Sequence, residues 1–255
     1  MESLSSTKYI QKHYLCRGHK IFSKYVEKGA PTVVFETGLG DESGSWDYVQ
    51  NQVSKLTSTF SYDRAGIGKS DKAPTPRTCL DIVYDLVDLL SKAPVEYPYI
   101  LVGHSFGGLV IRLFASMYPE LVLGIILVDA APEYKEISYE KILPEKNILP
   151  NREYLNNPML NSEKIDKIQS YDQISFNKYL YDIPLTVIIR GLSDVFDQDL
   201  PNERILEIDQ ELQLNFLKLS TKSKVVIAKN STHFIQNDEP EIIIEEIKKM
   251  LSIFK

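Results

Sequence analysis

The chain has 255 residues, 43% of them hydrophobic and 25% charged, the usage of a single ordinary globular domain, which excludes fibrous and intrinsically disordered classes. Its 29 basic and 35 acidic residues leave a net charge of −6, which gives no electrostatic footprint for nucleic acid or an anionic membrane. Cys16 and Cys79 lie far apart, match no metal-ligand or redox spacing, and read as free buried thiols. With a polar start and no apolar run long enough to span a bilayer, a soluble cytoplasmic protein is expected.

In chain order, residues 19–26 read as an early strand, paired as a hairpin with an arm that includes Tyr14-Leu15-Cys16. β-Branched runs follow at residues 32–36, 59–62, 99–102, 124–128, 185–189 and 224–228. Several have lost polar alternation, as strands buried on both faces do. Between them Leu80, Val83, Leu86, Val87 and Leu90 recur at helical spacing, with Asp81, Asp85 and Asp88 on the opposite face. Residues 109–117, 205–219 and 241–251 are further helical stretches, the last opened by Pro240. Strands alternating with helices predict an α/β domain with a mostly parallel sheet. Residues 133–182 break the rhythm: about fifty positions without a clear strand are too many for a loop in a compact domain. They are expected to form a small helical lid inserted into a core made of residues 1–132 and 183–255.

The most informative short motif is Gly103-His104-Ser105-Phe106-Gly107. Composition alone would produce a Gly-x-Ser-x-Gly match about 0.05 times in such a chain, so the pattern is not accidental. It follows an apolar strand and opens a helix, the setting in which a serine is held on a tight turn as a nucleophile. The N–H of Phe106 then lies at the helix N-terminus, where free donors and the helix dipole favour a developing oxyanion.

With that context the chain resembles the α/β-hydrolase fold superfamily, and within it the small serine hydrolases with one helical lid. Besides the serine motif, Tyr62-Asp63-Arg64-Ala65-Gly66-Ile67-Gly68-Lys69-Ser70 is similar to the family's loop after the fourth strand. Leu127-Val128-Asp129 followed by Ala130-Ala131-Pro132 is similar to its sixth strand and exit. The resemblance covers nearly everything from Tyr14 onward. It implies that the loop Glu36-Thr37-Gly38-Leu39-Gly40 supplies a second oxyanion donor, the N–H of Leu39, although Thr37 stands where the family usually has histidine. It implies His233, in Lys229-Asn230-Ser231-Thr232-His233-Phe234, as general base, since a base must reach the serine and titrate near neutrality. His104 neighbours the serine but reads as packing or pocket lining. The orienting carboxylate expected from the family's Gly-x-x-Asp position is Asp194, in Gly191-Leu192-Ser193-Asp194. Asp129 is its rival, with Asp197 and Asp199 behind.

The reading implied is a cofactor-independent serine hydrolase, carboxylesterase-like, with Ser105, Asp194 and His233 as triad and Leu39 and Phe106 as oxyanion donors. It needs no metal and acts on an ester or related acyl bond of a small molecule. Serine at this turn argues against epoxide hydrolases and haloalkane dehalogenases, which carry a carboxylate there. Peptidase, thioesterase and lactonase chemistry remain open on the same triad, as does a ligand-binding or signalling protein on a hydrolase scaffold.

Overall fold

The computed structural model describes residues 8–176, 179–194 and 199–253. Eight strands form one sheet in the order β1-β2-β4-β3-β5-β6-β7-β8. The strands β1 (Ile10–Cys16) and β2 (His19–Val26) are an antiparallel hairpin closed at Arg17-Gly18, both with positive φ, and β2 runs antiparallel to β4 (Ser58–Tyr62). From β4 onward the sheet is parallel, through β3 (Thr32–Glu36), β5 (Tyr99–His104), β6 (Val122–Val128), β7 (Leu185–Arg190) and β8 (Ser223–Ala228).

Side chains of the central strands alternate between two apolar layers, as the two-residue repeat of a strand requires. Val34, Leu101, Ile125, Leu127 and Val187 enter one core, and Val33, Phe35, Ile100, Val102 and Ile126 the other. The second layer is covered by α1 (Asp47–Val53) and the C-terminal α9 (Pro240–Ile253). The first is covered by α2 (Cys79–Lys92) and α3 (Gly107–Met117). Thr78 starts α2 with a reciprocal capping box to Asp81, which satisfies two otherwise orphaned N–H groups.

Between β6 and β7 the chain carries α4 (Lys135–Tyr139), α5 (Glu145–Asn156) and α6 (Lys167–Phe176). After β7 comes α7 (Asn202–Leu214), and the short α8 (Ile235–Asp238) precedes α9. The helix expected over 205–219 thus begins three residues earlier and ends at Leu214, continuing as a tighter turn over Asn215–Lys218. Its buried side is polar, with Asp209 and Gln213 inward beside Leu206, so apolar spacing alone could not mark its ends. No helix among the described residues is long and apolar enough to cross a membrane.

The parallel register aligns the strand ends that matter. Glu36 pairs with Gly103, and His104 with Val128. The loops leaving β3, β5, β6, β7 and β8 therefore emerge at one edge, where ligands bind in open α/β sheets.

Candidate active site

Ser105 occupies the turn between β5 and α3 with φ +51°, a left-handed conformation rare for a side chain larger than glycine. The strain is held by neighbours: its N–H donates to Val128 O at 3.1 Å, and its carbonyl accepts from Gly108 and Ala131, each at 3.0 Å. The flanking glycines have a steric reason. A Cβ on Gly107 would stand 2.5 Å from Thr37 O and 2.7 Å from Glu36 O, and one on Gly103 would stand 2.8 Å from Gly107 O.

His233 lies in the loop between β8 and α8. Its backbone is tied on both sides: the N–H donates to Asp194 Oδ1 at 3.0 Å, and the carbonyl accepts from His104 Nε2 at 2.9 Å. The imidazole then stands with Nε2 at 3.0 Å from Ser105 Oγ and Nδ1 at 2.6 Å from Asp129 Oδ2. This arrangement gives the serine hydroxyl an acceptor and the opposite ring nitrogen a carboxylate, the geometry of a serine–histidine–acid triad.

Asp194 is therefore corrected: it sits at the mouth of the β7 loop as expected, but its carboxylate faces the backbone of His233 and not the ring. The acid at the imidazole is Asp129, directly after β6. The reason lies in Arg190, the last residue of β7, a cation enclosed by three aspartates. Its Nη1 donates to Asp129 Oδ2 at 2.5 Å, its Nη2 donates to Asp209 Oδ2 at 2.8 Å, and Nη2 stands 3.7 Å from Asp194 Oδ2. Asp129 also accepts from Gln213 Nε2 at 2.9 Å. Burial works against the charge of Asp129, but the hydrogen bond from His233 and the Arg190 charge outweigh it and hold the carboxyl well below its ordinary value. Of the other acids weighed, Asp199 pairs with Lys146 at the surface, and Asp197 lies outside the described residues.

His104 is 1% exposed, with its ring centroid 4.6 Å from that of His233 and edge-on to Trp46. Burial, reinforced by neighbouring His233, pulls its pKa down to about 3, so it is neutral and donates from Nε2. It is a strut for the histidine loop.

Over Ser105 and His233 is a cavity of about 310 Å³, walled by Gly38 and Leu39 on one side and by Tyr154, Leu160 and Ser162 of the inserted segment on the other. Asp41 adds a carboxyl, raised above its ordinary value by burial, with Oδ2 3.8 Å from His104 Nδ1. A roomier groove of about 700 Å³ opens at the opposite end of the sheet, between Val122, Pro184 and Met250, and contains no part of this constellation. Among the described residues, neither the Leu39 nor the Phe106 N–H donates to a protein acceptor. No group of three or more His, Cys, Asp or Glu among them could hold a metal ion. Sequence reading missed Arg190, Asp209 and Gln213; the available signal, for Arg190 alone, was a single charged residue ending an otherwise uncharged strand.

Comparison with known proteins agrees with this architecture. Residues 31–147 match the family described as alpha/beta hydrolase fold. An uncharacterized protein of Bacillus subtilis, YqjL, is 29% identical over 239 residues, covering 92% of this chain and 89% of that one. A protein of Gibberella zeae described as an AB hydrolase superfamily protein is 24% identical over 283 residues, covering 88% and 87%. Among solved structures, the epoxide hydrolase VrEH1 of Vigna radiata superposes with a TM-score of 0.71 at 15% identity, covering 97% and 99%.

Proposed function

Because the chain belongs to the α/β-hydrolase fold superfamily, we propose that it is a serine hydrolase that cleaves an ester or related acyl bond of a small molecule. The observation that carries the reading is the doubly engaged imidazole of His233, 3.0 Å from Ser105 Oγ and 2.6 Å from Asp129. As Ser105 Oγ attacks the substrate carbonyl, its proton passes to His233 Nε2. Asp129 keeps the proton of the neutral ring on Nδ1 and stabilises the imidazolium. The N–H groups of Leu39 and Phe106 stabilise the oxyanion of the tetrahedral intermediate. Its collapse expels the alcohol, which takes the proton from Nε2 and leaves an acyl-serine. His233 then deprotonates a water that attacks the acyl carbon, and the acid leaves as Ser105 recovers its proton.

The cavity volume favours compact acyl groups, and the inserted segment acts as the lid that sets their size. A nucleophile at Ser105 distinguishes this chemistry from that of relatives with a carboxylate at the same turn. The test is covalent. A fluorophosphonate probe should label the protein on Ser105, with p-nitrophenyl acetate turned over by the parent and not by Ser105→Ala. Labelling of undiminished intensity in Ser105→Ala would refute the mechanism.

A further inference from the structure

Beneath the loop that follows β3 lies a fully buried ionic cluster that the triad chemistry does not use. Arg64, in the loop after β4, is 1% exposed and spends its guanidinium on both backbone and carboxylates. Nη1 donates to Glu36 Oε1 at 2.5 Å and to the Thr37 carbonyl at 2.9 Å, and Nη2 donates to the Gly38 carbonyl at 2.5 Å. The other side of the fork meets Glu163 of the inserted segment, from Nε at 2.8 Å and from Nη2 at 2.6 Å. Glu163 Oε1 in turn accepts the Gly40 N–H at 2.6 Å.

Two facts turn this cluster toward the site. A trans peptide is planar, with its C=O and N–H on opposite sides. Since Arg64 draws the Gly38 carbonyl toward itself, the N–H of Leu39, in the same peptide, faces away from Arg64, and Gly38 and Leu39 wall the cavity over Ser105. The guanidinium also lies 5.7 Å from the centroid of the Phe106 ring, so one rigid group stands beside Phe106 and holds the peptide that carries the Leu39 N–H. Glu163 is itself anchored. The Arg77 N–H donates to Lys164 O at 3.1 Å and the Asp166 N–H to Arg77 O at 2.7 Å, which fixes this stretch of the inserted segment to the core. A buried ion pair adds little net stability over apolar packing but can impose one geometry, and a planar fork is the group suited to hold two adjacent carbonyls.

We propose that Arg64 is a positioning residue that fixes the Gly38–Leu39 peptide with its N–H toward the reacting carbonyl oxygen, and that Glu163 of the inserted segment locks Arg64 and Gly40 in that arrangement. The inserted segment thereby completes the oxyanion hole as well as roofing the cavity. This rests on the reading of Ser105 as nucleophile and the Leu39 N–H as donor.

The test compares Arg64→Lys, which keeps the charge and loses the fork, and Glu163→Gln, which keeps the shape and loses the charge, with the parent protein. Loss of one oxyanion donor lowers kcat by about 10²–10³-fold. Arg64→Lys should lose about 10²-fold and Glu163→Gln about tenfold in kcat on p-nitrophenyl acetate, with KM within about threefold. Affinity for phenylboronic acid, whose boron-bound oxygen takes the oxyanion position, should fall in parallel with kcat. A structural role alone would lower the melting temperature without that split. Should Arg64→Lys fail to fold, Glu163→Gln decides. A folded Glu163→Gln protein with parental kcat and boronate affinity, or with a change in KM alone, overturns the proposal. Full activity in Arg64→Lys overturns it too, since charge without the fork would then suffice. Absence of fluorophosphonate labelling at Ser105 in the parent would instead refute the serine-hydrolase reading beneath it.

Discussion

Replacing Asp129 by Asn separates the two aspartates at His233. Asp129 receives His233 Nδ1 at 2.6 Å, Arg190 Nη1 at 2.5 Å and Gln213 Nε2 at 2.9 Å. An amide of the same shape can present an N–H where the ring nitrogen needs an acceptor, which favours the wrong tautomer. In the chymotrypsin-type triad this change lowers turnover about 10⁴-fold, equivalent to about 5.4 kcal/mol of transition-state stabilisation. The loss here should be of that order, because Arg190 stays beside the forming imidazolium and no longer has its nearest anion to offset it. Stability should fall as well. Orphaning a buried charge costs about 3–5 kcal/mol, and since Arg190 keeps Asp209 at 2.8 Å and Asp194 at 3.7 Å, about half of that is expected here. Asp194→Asn differs. Its Oδ1 can still accept the His233 N–H, so kcat/KM should stay within about tenfold of the parent. The assay is p-nitrophenyl acetate hydrolysis and the rate of fluorophosphonate labelling, on variants shown to be folded by circular dichroism. A folded Asp194→Asn protein that loses about 10³-fold while Asp129→Asn keeps a tenth of its activity would refute the reasoning.

Neutral buried His104 links stability to pH. Its folded pKa of about 3 lies below the ordinary value of about 6.5, so the unfolded chain takes up a proton that the folded one refuses. That contribution is complete above about pH 6.5 and declines as pH falls toward 3, by about 2 kcal/mol at pH 5. Urea midpoints of the parent at pH 7.5 and 5 should differ more than those of His104→Gln, and equal differences would remove His104 from the account. Gly107→Ala should destabilise by several kcal/mol or prevent folding, because the clashing atoms are backbone oxygens of Glu36 and Thr37; a thermal midpoint within two or three degrees of the parent would contradict this. Tyr154 walls the cavity, whereas Tyr171 is buried against Glu136 and edge-on to Tyr134. Tyr154→Ala should shift the ester chain-length profile and Tyr171→Ala chiefly the melting temperature, and an unchanged profile in Tyr154→Ala would refute the proposal that the inserted segment sets specificity.

What the sequence by itself determined is local or periodic. Alternation of apolar runs with helical spacing marks the strands of a parallel sheet and most of its helices. Gly103 and Gly107 around Ser105 announce a tight turn, although only the contacts that forbid a Cβ on Gly103 come from the motif itself, those on Gly107 coming from Glu36 and Thr37 at the end of β3. His233 was legible because its loop lies between a strand and a helix start. What the tertiary structure decided is where charges from distant segments meet. Asp129 and Asp194 both follow strands that end at the same edge, and composition does not say which faces the ring. The answer depends on Arg190, enclosed by residues 129, 194 and 209, and on Gln213, one turn beyond Asp209 on α7. The same holds for Arg64 between Glu36 and Glu163, 99 positions away along the chain from the latter. A charge buried among such partners is stable only as a set, and a set assembled from four or five segments has no local signature.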